Sequence, residues 1–284
     1  MSNKNTRSAK DKIIIITAMI ILFAVFGSAL SGLYIYRENI INILNYGVWE
    51  NQNDKTPART QATAISGGVV SFSDDALNPL NPCEYFSDII FIGDSILTGF
   101  VVCREYIEFD GEKVLRDAVV AATPGYGLNN AVSDVEFNSV NLIYNNKAMR
   151  PEEIIAERNE KYVFICLGLN DLVIMSPEKY IEKYGVLIDN IQSKTPDKII
   201  VILSVTPLVA GQQAGSMSND AIIKANALLL EFAIERNIPF VDWAEAIRDT
   251  DKSLINRLSS DGYCHLNVSA YNRLVEYLIC HRVR

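Results

Sequence analysis

From residue 87 onward, short apolar runs alternate with amphipathic stretches, and this alternation restricts what the chain can fold into more than any other feature. The runs fall at 89–92, 118–121, 162–167, 199–204 and 239–241. Bounded by turn residues and lacking a polar face, they fit strands covered on both sides. Helical patterns lie between them. Ser176-Pro177 offers an N-cap followed by proline at the first helical position. Tyr180, Tyr184, Leu187, Ile188 and Ile191 then fall on one face. A second helix starts near Asn219, with Ile222, Ala225, Leu229, Phe232 and Ala233 on one stripe. A last one covers 269–279 and uses Tyr271, Leu274, Val275 and Leu278. Strands alternating with helices predict an α/β fold: a parallel sheet in a three-layer arrangement, helices on both faces. In such folds chemistry gathers at the carboxyl ends of the strands.

The amino-terminal part reads differently. Residues 13–36 carry no charge over 24 positions, more than the roughly 20 needed to cross a bilayer. Lys4, Arg7, Lys10 and Lys12 stand before this run against Asp11 alone. That cationic flank keeps residues 1–12 in the cytoplasm and sends the rest out. One transmembrane helix over 13–36 is therefore expected, with Tyr34 and Tyr36 at the interface. A cleaved signal peptide, cut near Ala29-Leu30-Ser31, is the competing reading. On either reading the body is extracytoplasmic. Residues 37–84 include a polar stretch, 51–82, dotted with Pro57, Gly67, Gly68, Pro79 and Pro82, the composition of a linker or stalk. The folded domain then spans 85–284.

Net charge decides against one large class of partner. The chain carries −8 overall, and the first twelve residues carry +3, which leaves −11 on the remainder. Phosphate backbones need a basic patch, so nucleic acid is not expected. The five cysteines, Cys83, Cys103, Cys166, Cys264 and Cys280, match no metal-ligand spacing. Outside the cytoplasm a disulfide is allowed. Cys83 precedes the first strand and Cys103 ends the helix after it, so a Cys83–Cys103 bridge is one reading and free thiols the other. Cys166, inside an apolar run, reads as a small core residue.

Three short polar motifs would share one rim of the sheet. Gly93-Asp94-Ser95 follows the first strand, Gly168-Leu169-Asn170-Asp171 the third, and Asp261 to His265 precedes the last helix. A serine at a strand-to-helix turn exposes its hydroxyl beside helix N–H groups that have no intrahelical partner and can stabilise an oxyanion. A plain turn would use the same residues. Serine needs a base at neutral pH, and imidazole supplies one. The chain has two histidines, His265 and His281; His281 sits in a basic tail and reads as solvated surface. His265 is thus the base if Ser95 is the nucleophile. Asn170 can donate its amide to an oxyanion, a contribution of roughly 3 kcal/mol, or can simply cap a turn.

Taken together and in order, these motifs resemble the SGNH hydrolases, the GDSL-type esterase and lipase superfamily, over roughly residues 87–282. Gly93-Asp94-Ser95 looks like the nucleophile block, Gly168 to Asp171 like the Gly-x-Asn-Asp block, and Asp261 with His265 like the closing Asp–His block. The resemblance implies a flavodoxin-like sheet of about five parallel strands and no metal or organic cofactor. It casts Ser95 as nucleophile, His265 as base and Asp261 as the acid orienting it. The oxyanion hole would be Ser95 N–H, Asn170 and a glycine of Thr123-Pro-Gly125-Tyr-Gly127, with Gly125 preferred. Asp94 is expected to be structural. The family spaces Asp three residues before His, whereas here the spacing is four and Cys264 looks inserted. Either a bulged loop absorbs the extra residue, or a backbone carbonyl orients His265 instead.

The function expected is a membrane-anchored serine esterase that removes or transfers acetyl groups on a cell-wall or capsular glycan. A lipase or lysophospholipase is the alternative within the fold. A non-catalytic glycan-binding module is the alternative outside enzymology, and has no use for Ser95, Asn170 and His265 as a set.

Overall fold

Strands made wholly of branched and aromatic residues must be covered on both faces, and the central strands meet that demand. The computed structural model describes residues 81–136 and 138–283. Helix α1 (Pro82–Ser87) leads into β1 (Ile89–Gly93), α2 (Ser95–Cys103), β2 (Val119–Ala122) and α3 (Leu128–Ala131). A hairpin of β3 (Leu142–Tyr144) and β4 (Lys147–Met149) follows, then α4 (Pro151–Ala156), β5 (Tyr162–Cys166) and α5 (Leu169–Leu172). The chain continues through α6 (Pro177–Lys194), β6 (Ile199–Leu203), α7 (Asn219–Arg236), β7 (Phe240–Val241) and α8 (Val268–Cys280).

The main sheet has five parallel strands in the order β2-β1-β5-β6-β7. The five strands expected from the sequence are these five, each within a residue or so at its ends. The chain moves outward from β1 to β2, then crosses back to place β5 on the other side of β1. The crevice between the carboxyl ends of β1 and β5 is therefore the topological switch point, where ligands bind in open α/β sheets. Every residue of β1 and β5 is buried, with Phe91 opposite Phe164. Those rings meet edge-on at 5.5 Å, and Phe91 meets Phe100 of α2 at 5.3 Å. Each such side chain contributes about 1.5–3 kcal/mol by leaving water.

Helix ends follow local chemistry. Ser176 and Ser218 cap α6 and α7 by accepting from Lys179 and Ala221 N–H, and Asn267 caps α8 by accepting from Ala270 N–H. Asn237 ends α7 in the left-handed region at φ 53°, a conformation asparagine tolerates.

One open choice closes, towards free thiols, and two readings change. The five cysteines are free, so no Cys83–Cys103 bridge forms. Cys83 does not immediately precede the strand; it lies in α1, a helix the sequence reading lacked, while Cys103 is sealed in the core. The β3–β4 hairpin was also absent from that reading. Its turn, Asn145-Asn146, has both residues at positive φ, 48° and 61°, the signature of a two-residue hairpin turn. His281 is half-buried rather than solvated, its ring stacked on Tyr277 at 3.8 Å. No helix among the described residues is long and apolar enough to cross a membrane. The basic tail 1–12, the span expected at 13–36 and nearly all of the 37–84 linker lie outside the described residues.

Candidate active site

The turn after β1 is built to present a serine. Gly93 ends the strand, and a methyl group there would lie 2.6 Å from the Cys166 carbonyl oxygen, so only glycine lets β1 and β5 run this close. Asp94 then caps α2, its Oδ1 accepting from Ile96 N–H at 2.9 Å. Ser95 is the first residue of the helix. Its N–H is one of the helix-end donors with no intrahelical partner, and it has none elsewhere among the described residues.

His265 comes to Ser95 from 170 residues away. Its Nε2 lies 3.1 Å from Ser95 Oγ, and its Nδ1 lies 2.6 Å from Asp261 Oδ2. The four-residue spacing is absorbed by a loop wound around the other carboxylate oxygen. Asp261 Oδ1 accepts from the N–H groups of Tyr263 at 2.8 Å, Cys264 at 3.1 Å and His265 at 3.2 Å. The Ser259 hydroxyl also donates to it, at 3.0 Å. Gly262, at φ 70°, takes the left-handed conformation this winding needs. A carboxylate, not a backbone carbonyl, therefore faces Nδ1. Ser259 was missed in the sequence, because a serine two residues before an aspartate carries no distinctive signal.

The two groups hold each other's charge. Burial would lower His265, but the hydrogen bond and charge of Asp261 prevail, with Cys264 adding to them, and raise it above the ordinary imidazole value. Burial would raise Asp261, yet the bond from His265 and the donors at Oδ1 hold its carboxyl below the usual range. In the neutral ring, Nδ1–H donates to Asp261 and Nε2 is left to accept the Ser95 hydroxyl hydrogen.

Asn170 stands across the switch-point crevice at the end of β5. Its Nδ2 donates to the Tyr126 carbonyl at 3.0 Å and lies 3.4 Å from Asp94 Oδ2. The turn beneath it is braced by Tyr180, whose hydroxyl donates to the Leu167 carbonyl at 2.7 Å. The bond to Tyr126 also discriminates between the two glycines. In a trans peptide the C=O and the following N–H point opposite ways, so Gly127 N–H is directed away from Asn170. Gly127 is packed instead against Asp171, whose Oδ1 would lie 2.8 Å from a methyl group there. Gly125 occupies the exposed corner of a Thr123–Tyr126 turn, at φ 78°. Tyr126 N–H closes that turn on the Thr123 carbonyl at 3.0 Å, and glycine is the residue such a corner requires. The Gly125 N–H donates to no partner among the described residues. This loop leaves β2 alongside the serine turn, with Thr123 N–H donating to the Gly93 carbonyl at 3.3 Å. Asp171 supports the loop from below by accepting Leu128 N–H at 2.8 Å.

No curated protein matches the chain. Among solved structures, a protein provisionally named a platelet activating factor from Streptococcus pneumonia aligns with a TM-score of 0.50 at 15% identity, covering 89% of this chain and 97% of that one. A GDSL-like lipase from Bacteroides thetaiotaomicron aligns at 0.49 and 16%, covering 67% and 84%. A carbohydrate esterase family 3 protein from Talaromyces cellulolyticus aligns at 0.45 and 13%, covering 67% and 93%. The first of these supports the shared fold. The model of the GDSL-like lipase/acylhydrolase family matches residues 91–273, from the strand that delivers Ser95 to the helix that follows His265. The chain is thereby a member of that family, within the SGNH hydrolase superfamily, and a hydrolase of ester bonds.

Proposed function

We propose that this chain is a membrane-tethered serine esterase that removes or transfers acetyl groups on an extracytoplasmic glycan. The observation carrying the chemistry is the unbroken line from Ser95 Oγ through His265 to Asp261, with contacts of 3.1 Å and 2.6 Å. Ser95 Oγ attacks the ester carbonyl carbon while its proton passes to His265 Nε2. Asp261 stabilises the imidazolium so formed. The carbonyl oxygen becomes an oxyanion, held by the N–H groups of Ser95 and Gly125 and by the Asn170 amide. For the amide to serve, its long approach to Asp94 is given up while the bond to Tyr126 holds the group in place. Collapse of the intermediate expels the alcohol, which takes the proton from Nε2 and leaves an acyl-serine. Water then attacks with His265 again as base, and acetate leaves. A sugar hydroxyl in place of water gives transfer instead.

The glycan is inferred from location. A charge-free stretch at 13–36 behind a basic tail, and a polar linker after it, suit a domain held outside the membrane within reach of wall or capsule polymer. A second reading, a lipid esterase, draws on two exposed apolar side chains. Ile174 follows Asn170 closely and is 70% exposed, and Ile143, on the hairpin beyond Gly125, is 62% exposed. The full chain should release acetate from O-acetylated wall glycan, and a fluorophosphonate probe should label Ser95. Cleavage of long-chain lipid esters with no acetate from any glycan would replace the first reading by the second. Absence of labelling in folded protein would sink both.

A further inference from the structure

The residue that lengthens the Asp–His spacing also alters what the triad can bind. Cys264 Sγ lies 3.9 Å from His265 Nδ1, on the side of the ring that faces Asp261. One ligand atom from each of Asp261, Cys264 and His265 falls within 4.8 Å of the others. A tetrahedral zinc ion holds sulfur at about 2.3 Å, imidazole nitrogen at about 2.0 Å and carboxylate oxygen at about 2.1 Å, so its ligand atoms stand roughly 3.3–3.6 Å apart. The separations here, 2.6 Å from Nδ1 to the carboxylate and 3.9 Å from Nδ1 to sulfur, lie on either side of that spacing. Small side-chain rotations would open the Asp261–His265 contact and draw in the thiol. Partly exposed Asp261 gives an ion a path to the buried sulfur.

The geometry points to Asp261, Cys264 and His265 as an inhibitory site for a thiophilic divalent cation such as Zn²⁺. Binding there rearranges protons in a defined way. The thiol releases its proton to solvent and sulfur becomes a thiolate ligand. Nδ1 yields its hydrogen, and the neutral ring takes up the other tautomer, with the proton on Nε2. The ring then donates to Ser95 Oγ instead of accepting from it, and cannot act as its base. The ion also occupies the carboxylate that stabilises the imidazolium. A hard cation such as Mg²⁺ does not compete for a thiolate–imidazole pair, so inhibition is selective. The inhibition, though not the site, rests on His265 being the base.

Two measurements on the full chain separate those parts. In the first, Ser95→Ala protein is titrated with Cd²⁺ while thiolate-to-cadmium absorbance is followed. One equivalent should bind in a step that is absent from the Ser95→Ala, Cys264→Ser protein. Equal absorbance in both would overturn the site, whatever the catalytic mechanism. In the second, hydrolysis of a small acetyl ester is followed with Zn²⁺ in chelator-free buffer. The wild-type chain should lose activity and recover it with EDTA, while Cys264→Ser, compared with its own metal-free rate, needs about tenfold more Zn²⁺ or higher for the same fractional loss. Binding in the first measurement without inhibition in the second would overturn the inhibitory role. Equal inhibition of the Cys264→Ser variant would do the same.

Discussion

The Tyr271 hydroxyl donates to the Ile96 carbonyl oxygen at 2.8 Å, tying the first turn of the helix that begins at Ser95 to the helix that follows His265. Gly99 makes this approach possible, since a methyl group there would lie 1.7 Å from the Tyr271 oxygen. The nucleophile and its base, 170 residues apart in sequence, thus share one buried joint. Gly99→Ala should push Tyr271 away and lengthen the Ser95–His265 contact, lowering kcat on an acetyl ester more than it raises KM. Tyr271→Phe removes only the hydrogen bond and should cost about 1 kcal/mol of stability, with a smaller loss of kcat. Thermal melts and steady-state kinetics on both variants check the pair. A Gly99→Ala chain that is destabilised yet fully active would show that the joint does not position the site.

Removing the nucleophile tests the assignment most directly. Ser95→Ala should reduce kcat on an acetyl ester by at least about 10⁴-fold while the protein remains folded, as judged by circular dichroism. Asn170→Ala should lower kcat by roughly 10²–10³-fold, the usual loss for one oxyanion donor. Its effect on KM should be small, because the oxyanion exists only in the transition state. A Ser95→Ala enzyme with wild-type activity would end the serine mechanism.

Much of this was legible in the sequence, and the reasons differ by residue. The five strands were visible because 89–92 and 162–167 carry no polar position, and that pattern has few other uses. Ser95, Asn170 and His265 were visible because each follows a strand or precedes a helix on the rim where such sheets do chemistry. The hairpin was hidden because its strands are three residues each, too short for a periodicity, although Asn145-Asn146 was a usable turn signal. Tyr271 and Gly99 were read as a core residue and an unremarked glycine, since a contact spanning two helices leaves no trace in spacing. The choice of Gly125 over Gly127 depends on which way the Tyr126 carbonyl points, which is a property of backbone orientation and not of composition.

The acid behind His265 sets a pH dependence with a definite sign. His265 must be neutral to accept the Ser95 proton, and Asp261 raises its pKa above the ordinary imidazole value against the lowering effect of burial. Activity should therefore rise with pH through that raised value. Asp261→Asn removes the charge that favours the imidazolium, so the acid limb of the kcat/KM profile should move to lower pH. Its plateau should fall by up to about 10⁴-fold, because the amide can favour the wrong tautomer. Some activity should remain. A pH–rate profile whose limb stays in place would show that Asp261 is not the partner that sets the base.

Asp94 places a second pH dependence on the fold itself. The residue is 1% exposed. Burial raises its carboxyl, and nearby Asp171 adds to this against the Ile96 N–H and His265, to about 7 from the ordinary 3.8. Between those two values the folded chain keeps a proton that the unfolded chain has lost. The contribution of Asp94 to stability is thus fully present below the unfolded value, declines as pH rises, and is lost once pH passes the folded value. Asp171, raised to about 6 mainly by its own burial, acts in the same direction. Asp94→Asn keeps a residue able to cap the helix and removes the titration. Its melting temperature should gain on that of the wild-type chain from about pH 4 to about pH 7 and level off above that. The readout is the change in this difference with pH, which separates the ionisation from any constant cost of turning the Asn170 amide. A difference that stays level across the range would mean that Asp94 is ionised in the fold throughout, held there by the Ile96 N–H and the Asn170 amide.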